Sequence, residues 1–462
     1  MTPKERLLDL LVRLIGRGTQ HQFNLLFHKY HEADIAEALE LLPTDKKALF
    51  FSRILTNETV DVFEEMDMES QIEIIQHFKV ENAAELIEKM DKDDGVDLLE
   101  ALLDEDEQKA QQILNKMDVE DQIQLNRLLT YKEDSAGTLM TTDFISIPEK
   151  LTVKEALDLY KLKSPKENDS AFYLFIVNEY GQIQGVISIR KLLLAQPNTL
   201  VKDVRNSYPI KVHVDSDQED VASMFQKYRS IVLPVVDDLD IVLGVITIDD
   251  VVDVVVEEAS EDILKLSGTS GDDIQGERLI QGSIWYALIH RLPWLFVTIV
   301  GGIIASIIMI YYSKVLSQSV ISLAFILSFV PMLMGLGGNI GNQSATILVR
   351  ALAINQIGES KKILTIIREC CVGLIIGTII GLIVSGYVYL TSDNQIMAIC
   401  IGATIAINMS VASLIGASLP IIFKTFNIDP AIASAPFIST TLDIIGQIIY
   451  FTIAIAMFNA ML

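Results

Sequence analysis

The stretch S-T-T-L-D-I-I-G-Q, residues 439–447, puts one carboxylate, Asp443, inside the last apolar run, with no other charged residue between Asp429 and the C-terminus. An ionisable group in a lipid-spanning segment is costly, so such residues face a polar interior and mark an ion or substrate path. Ser439, Thr440, Gly446 and Gln447 fall on or near one helical face with it. The bland alternative is a protonated aspartate, hydrogen-bonded for structure. A second polar stretch, P-M-L-M-G-L-G-G-N-I-G-N-Q-S-A-T at 331–346, puts a proline and four glycines among amides in another apolar run. This predicts an interrupted span whose freed backbone groups find protein, water or an ion. Tight packing through small residues explains the glycines but not Asn339, Asn342 and Gln343. No intramembrane lysine or arginine offers itself to Asp443, which favours a mobile cation. One carboxylate among amide, hydroxyl and backbone oxygens is a hard-donor site. It suits Mg2+, which is held through few carboxylates and its own waters, although Na+ or a proton can also use one aspartate.

The 462 residues carry a net charge of −25 and are 50% hydrophobic, a combination that splits near Leu279. Downstream lie about seven basic and about five acidic groups; the remaining acid is upstream. Five spans fit the hydropathy, at about 290–312, 320–350, 363–390, 395–424 and 431–460. Arg350, Lys361, Lys362 and Arg368 cluster between the second and third, which puts that loop and the N-terminus in the cytosol and the C-terminus outside. Met1 to Thr19 is a basic amphipathic pattern without the apolar core of a cleavable signal, in agreement. Cys370, Cys371 and Cys400 all fall in spans and make neither a disulfide framework nor a zinc pattern. No P-loop, nucleophile–base pair or catalytic metal motif is present, so no enzyme and no nucleic-acid partner is expected.

Residues 20–130 have helical periodicity with a recurring hydrophobic-Asp signature: L-L-P-T-D at 41–45, E-E-M-D-M at 64–68, E-K-M-D-K at 88–92 and N-K-M-D-V at 115–119. Each reads as a helix end and the N-cap of the next, which makes an α-helical repeat array. Its acidic runs, D-K-D-D-G-V-D at 91–97 and D-E-D-E at 104–107, are solvated faces or cation sites. From 138 to 255 the pattern changes to two β-α-β-β-α units of about 60 residues, around L-F-I-V-N-E-Y-G-Q-I-Q-G-V-I-S-I-R and L-P-V-V-D-D-L-D-I-V-L-G-V-I-T-I-D-D. These resemble a tandem pair of CBS domains, regulatory modules that often bind adenine nucleotides. Thr247 and Asp250 fit the ribose-binding pattern; Ser188 and Lys191 in the first copy do not. A long helix and a Gly/Ser/Asp linker at 267–276 then lead into the membrane.

The expected fold is thus a multidomain integral membrane protein: an α-helical repeat N-domain (1–132), an α/β tandem CBS pair (133–200 and 201–256), a connecting helix and linker (257–285) and an all-α five-helix transmembrane domain (286–462). In this order, with E-D-S-A-G-T-L-M at 133–140, D-D-V-V-D-V-V-V-E-E-A-S-E-D at 249–262 and the two membrane motifs, the whole chain resembles an MgtE-type magnesium channel. The resemblance implies a homodimer in the cell membrane with its pore on the twofold axis. Asp443 would bind hydrated Mg2+ there, with Asn342, Thr346 and backbone oxygens near Ser439 and Gly446. A plug helix would map to about Glu261–Gly276. It also implies regulatory Mg2+ at Asp93, Asp94, Asp97, Asp217, Glu219, Asp250, Asp253, Glu258 and Glu261, and ATP at Thr247 and Asp250. Carboxylates so crowded repel one another until cations screen them, so a fall in cytosolic Mg2+ would separate the domains and open the pore. Two other readings stand beside this: a secondary transporter of Co2+, Mn2+ or Ni2+ coupled to Na+ or H+, and a membrane-anchored nucleotide sensor.

Overall fold

The computed structural model describes residues 3–459 except 164–171, 207–208, 270–283, 317–322, 354–356, 359–360, 393–394 and 427. Residues Met1–Val255 and Val256–Leu462 form two compact units.

The first unit opens with nine helices: α1 (Pro3–Arg17), α2 (Gln20–Phe27), α3 (Glu32–Glu40), α4 (Thr44–Arg53), α5 (Asn57–Glu64), α6 (Met68–His77), α7 (Val80–Lys89), α8 (Lys92–Leu114) and α9 (Val119–Leu128). Neighbours two apart in sequence stack, α1 on α3, α3 on α5, α5 on α7, and α4 on α6, α6 on α8, as a repeat array requires. The hydrophobic-Asp signature sets this spacing. Asp67, Asp91 and Asp118 occupy the N-cap positions of α6, α8 and α9, while Pro43 holds that position ahead of α4. A glutamate at 24-residue intervals then ties the repeats together. Glu40, Glu64 and Glu88 each accept the backbone N–H of the capping aspartate, Asp67 (3.0 Å), Asp91 (2.8 Å) and Asp118 (2.6 Å). Part of the acidity is therefore the hydrogen bonding of the array itself. The D-E-D-E run breaks α8 at Asp106, whose side chain accepts from Lys109 N at 3.0 Å and recaps the helix. Phe23, Phe50, Phe51 and Phe63 form an edge-to-face chain through the core.

Two three-stranded sheets follow, each with one parallel and one antiparallel pairing. The first holds β1 (Ser146–Pro148), β2 (Tyr173–Val177) and β3 (Ile183–Ser188), with α10 (Val153–Lys163) and α11 (Ile189–Leu194). After α12 (Val201–Val204), the second holds β4 (Val212–His213), β5 (Val232–Val236) and β6 (Val242–Thr247), with α13 (Gln218–Tyr228) and α14 (Ile248–Leu266). The two hairpin turns clasp each other: Ile183 N donates to Asp240 O at 2.9 Å, next to Gly181 with φ +80°. The core of the second sheet is continuous with that of the helical array through Ala136 and Met140. The last helix of the second CBS repeat and the expected connecting helix are one element, α14. The plug residues expected at 270–276 lie outside the described residues.

Among the described residues, the second unit contains five helices long and apolar enough to cross a membrane. They are α15 (Ile284–Leu316), α17 (Val330–Ala353), preceded by the short α16 (Leu323–Ser328), then α18 (Lys362–Ser392), α19 (Gln395–Thr425) and α20 (Ala435–Asn459). The expected interruption inside 331–346 is not there: α17 is helical throughout, and the break falls earlier, at Phe329. Pro331 lies in the first turn of α17, where its missing N–H costs nothing. The glycines instead let neighbouring backbones approach. Tyr450 Oη donates to Ile326 O at 2.8 Å and serves the carbonyl side of the true break. A Cβ at Gly416 would stand 2.9 Å from the Cα and carbonyl carbon of Gly341. Gly416→Val is therefore expected to cost about 3 kcal/mol, read as a lowered melting temperature of the detergent-purified chain. An unchanged melt would remove the close α17–α19 approach from the description.

Candidate functional site

The membrane site is built where α17 meets α20. Four-residue spacing aligns Ser439, Asp443 and Gln447 on one face of α20. Asn342 Nδ2 on α17 donates to Ser439 Oγ at 3.1 Å, while Asn342 Oδ1 is buried with no hydrogen-bond partner. Asp443 is half-buried, and the ion pairs of Lys265, with Glu261 and with Asp429, leave it out. Thr346 lies one turn along α17 from Asn342 and is exposed. Gly446 packs against Asn408, whose Oδ1 would stand 2.9 Å from an added Cβ. Asn408 Nδ2 in turn donates to Leu333 O at 3.2 Å, so one buried amide pins α17, α19 and α20 together. The arrangement offers carboxylate, amide and hydroxyl oxygens, a set that fits a hard, hydrated cation.

Sequence reasoning passed over Glu369 in the third span. Ser344 Oγ donates to Glu369 Oε2 at 3.0 Å and lies 3.0 Å from Ser413 Oγ, a chain joining α17, α18 and α19. A second carboxylate within a span, beside Arg368, was the available signal. Asn408 carried none, because one asparagine in an apolar run has no periodic partner to announce it.

The acidic cluster lies where the first turns of α8 meet the start of α14. Asp93 is 9% exposed, with Oδ1 buried and unpartnered; desolvation first, then Asp250, Asp94 and Asp91, push its carboxyl well above the usual range. Asp94 keeps a solvent-facing edge in dense surroundings, where desolvation and the charges of Asp250, Asp91, Asp253 and Asp249 raise it to about 7. Asp250 is raised to about 6 by burial and by Asp249 and Asp91, against hydrogen bonds from Thr247, whose Oγ1 donates to its carboxylate. Burial also raises Glu64, to about 8, ahead of the charge of Asp94. Asp253 is raised by burial and by Asp249. The structure thus brings Asp93, Asp94, Asp250 and Asp253 together and adds Asp91, Asp249 and Glu64, which sequence reasoning did not select. The orphaned Asp93 oxygen suits a cation, since a buried carboxylate needs a donor or a positive charge.

The other expected regulatory residues sit elsewhere. Asp97, exposed, is one turn further along α8. Asp217 holds the N-cap position of α13, accepting from Glu219 N at 3.0 Å, and its backbone bridges to Ser135, between α9 and β1. In the second unit Glu261 pairs with Lys265, which also donates to Asp429 at 2.7 Å, so a fixed ammonium serves that carboxylate; Glu258 lies one turn before it. Glu88, Asp118 and Asp121 also place carboxylate oxygens within 4.8 Å of one another, but Lys92 Nζ already sits 2.9 Å from Asp121.

The raised carboxyls imply a pH dependence. An acid whose pKa is higher packed than unfolded takes up protons on folding. The packed form is therefore penalised fully above the raised value and relieved as pH falls towards the unfolded one. With Glu64 near 8 and Asp94 near 7 against unfolded values near 4, the Mg2+-free chain should melt at lower temperature as pH rises from 6 to 9. Mg2+ should flatten that slope by taking the place of the protons. A flat Mg2+-free profile would show that these carboxyls are not crowded.

Comparisons with known proteins agree in order along the chain. The MgtE divalent cation transporter model matches residues 330–453, the MgtE intracellular N domain 30–134, and the CBS domain 136–198 and 201–257. The magnesium transporter MgtE of Thermus thermophilus is 33% identical over 98% of both chains. That of Bacillus subtilis is 31% identical over 100% of this chain and 99% of its own. Among solved structures, the soluble part of a magnesium transporter matches at TM-score 0.51 and 29% identity, covering 55% of this chain and 99% of that one. The cytosolic domain of the Mg2+ channel MgtE in complex with ATP matches at 0.50 and 28%, covering 54% and 99%.

Proposed function

Since this chain belongs to the MgtE family of magnesium transporters, membrane proteins with regulatory cytosolic domains and no enzymatic activity, we propose that it is an Mg2+ channel closed by the ion it admits. The observation that carries the reading is the bond from Asn342 on α17 to Ser439 on α20, one turn from Asp443, with the buried Asn342 Oδ1 awaiting a donor. Water molecules of a hydrated cation are such donors, and Asp443 supplies the charge that holds the ion. Mg2+ keeps its shell and passes mostly through water-mediated contacts, with Thr346 and backbone oxygens near Ser439 and Gly446 at the margins. The channel is a homodimer with its pore on the twofold axis, its N-terminal domains in the cytosol and its C-terminus outside.

Regulation follows from the acidic cluster. Mg2+ at Asp93, Asp94, Asp250 and Asp253, with Asp97 at the edge, offsets the repulsion between α8 and α14 and favours the packed, closed arrangement. Asp217, Glu219, Glu258 and Glu261 are further carboxylates on the same regulatory elements. Adenine nucleotide binds at Thr247 and Asp250 in the second CBS cleft, a reading supported by the ATP complex of a relative. Because Asp250 also belongs to the cation cluster, the two ligands are coupled there. The test is Mg2+ entry into proteoliposomes driven by membrane potential alone, without a Na+ or H+ gradient. Entry under those conditions supports a channel. Entry that requires a Na+ or H+ gradient would overturn it in favour of a coupled transporter.

A further inference from the structure

We infer that Gln447 is a hydration-shell ligand of the transported cation, one helical turn beyond Asp443, and a determinant of selectivity for ions that keep their water. The side chain is 3% exposed, and its Nε2 donates to Met334 Sδ at 3.5 Å. A thioether only accepts, so the NH2 is the group that must face it and the carbonyl oxygen is directed elsewhere. That oxygen, Oε1, is buried and has no donor. A leucine or methionine would pack against Met334 without this unmet acceptor, so packing alone does not account for the amide.

The surroundings say what donor is missing. On α17, Met334, Gly338 and Asn342 repeat at four residues, opposite Gln447, Asp443 and Ser439 on α20. Met334 meets Gln447 at one end of this ladder and Asn342 meets Ser439 at the other. Gly338, between these two contacts, has no side chain, and its added Cβ would stand 3.5 Å from Ser439 Oγ, one turn from Asp443. The carboxylate is thus flanked by two amides, each with a buried, unpartnered oxygen, Asn342 Oδ1 and Gln447 Oε1. Three acceptors on successive turns match the outer surface of a hydrated cation, which presents only O–H donors. An ion that sheds water would leave the outlying amide unserved, so Gln447 favours Mg2+ over the more readily dehydrated Ca2+.

This rests on the reading of Asp443 as the anchor of the ion, and the experiment separates the two. Full-length protein is placed in planar bilayers with low Mg2+ on the side of its acidic domains. Currents are then recorded for wild type, Gln447→Leu, Gln447→Met and Asp443→Ala. Loss of one net hydrogen bond should raise the half-saturating Mg2+ about three- to tenfold in both Gln447 variants, with a smaller change in maximal current and a higher Ca2+-to-Mg2+ current ratio. Wild-type half-saturation and ratio in either variant, with Asp443→Ala silent, would overturn the role of Gln447 and leave the pore reading standing. Mg2+ current surviving in Asp443→Ala would remove both. If neither Gln447 variant assembles, the amide is structural and the inference falls.

Discussion

Asp443→Ala should pass no measurable Mg2+ current, a loss of at least a hundredfold, while still assembling. Asp443 is the one charged side chain of α20, and the polar groups a turn away from it, Ser439 with Asn342 of α17 and Gln447, are neutral. A hydrated divalent ion held by a carboxylate gains two or three charge-assisted hydrogen bonds through its waters, each about 1.5–3 kcal/mol. Near the lower end of that range these sum to roughly 4 kcal/mol, or about a thousandfold in occupancy. Asp443→Asn keeps the shape and loses the charge, so it should be nearly as damaging, whereas Asn342→Ala should cost less. Thermal melting of the same preparations is the control. Removing a charge from a membrane helix should leave the fold intact or slightly more stable, so a silent but well-folded mutant assigns the loss to conduction. Wild-type current in Asp443→Ala would make the aspartate structural.

The second large effect is expected from Asp93→Asn combined with Asp94→Asn. In wild type, Mg2+ should raise the melting temperature of the cytosolic unit steeply. A ligand at a hundred times its dissociation constant adds about 2.7 kcal/mol to the state it binds. The double substitution removes two of the proposed ligands and also two crowded, mutually repelling carboxyls. The Mg2+-free protein should therefore melt higher than wild type, and the increment added by Mg2+ should fall by more than half. In the channel, closure should cease to track Mg2+ over the wild-type range. Destabilisation without Mg2+, or an increment of wild-type size, would show that the cluster is not where the ion is sensed.

Local periodicity made most of the architecture legible. The repeating Met-Asp signature announced helix starts because a capping aspartate acts on its own turn. The two CBS repeats were visible because strand alternation and Gly turns are equally local. What failed was non-local. P-M-L-M-G-L-G-G read as a broken helix because proline and glycine are helix breakers in water. Between packed membrane helices, the proline falls in the first turn and the glycines become contact surfaces, as Gly341 does against Gly416. Glu261 looked like a free carboxylate until Lys265 and Asp429, 164 residues apart, met beside it. Asp443 stood out because a lone charge in an apolar run needs no partner to be noticed. Asp91, Asp249 and Glu64 did not, because an acidic chain offers many equivalent candidates and only packing selects among them.

The central claim is that Mg2+ passes through the Asp443 site and is counted by the Asp93–Asp250 cluster. The most direct measurement is the current of the wild-type chain in a bilayer, with Mg2+ as the only permeant cation, while Mg2+ is stepped on the side of the acidic domains alone. The account predicts current at low Mg2+ that shuts reversibly as Mg2+ rises, beyond what the reduced gradient explains. Current that is indifferent to Mg2+ on that side, or grows with it, would contradict it.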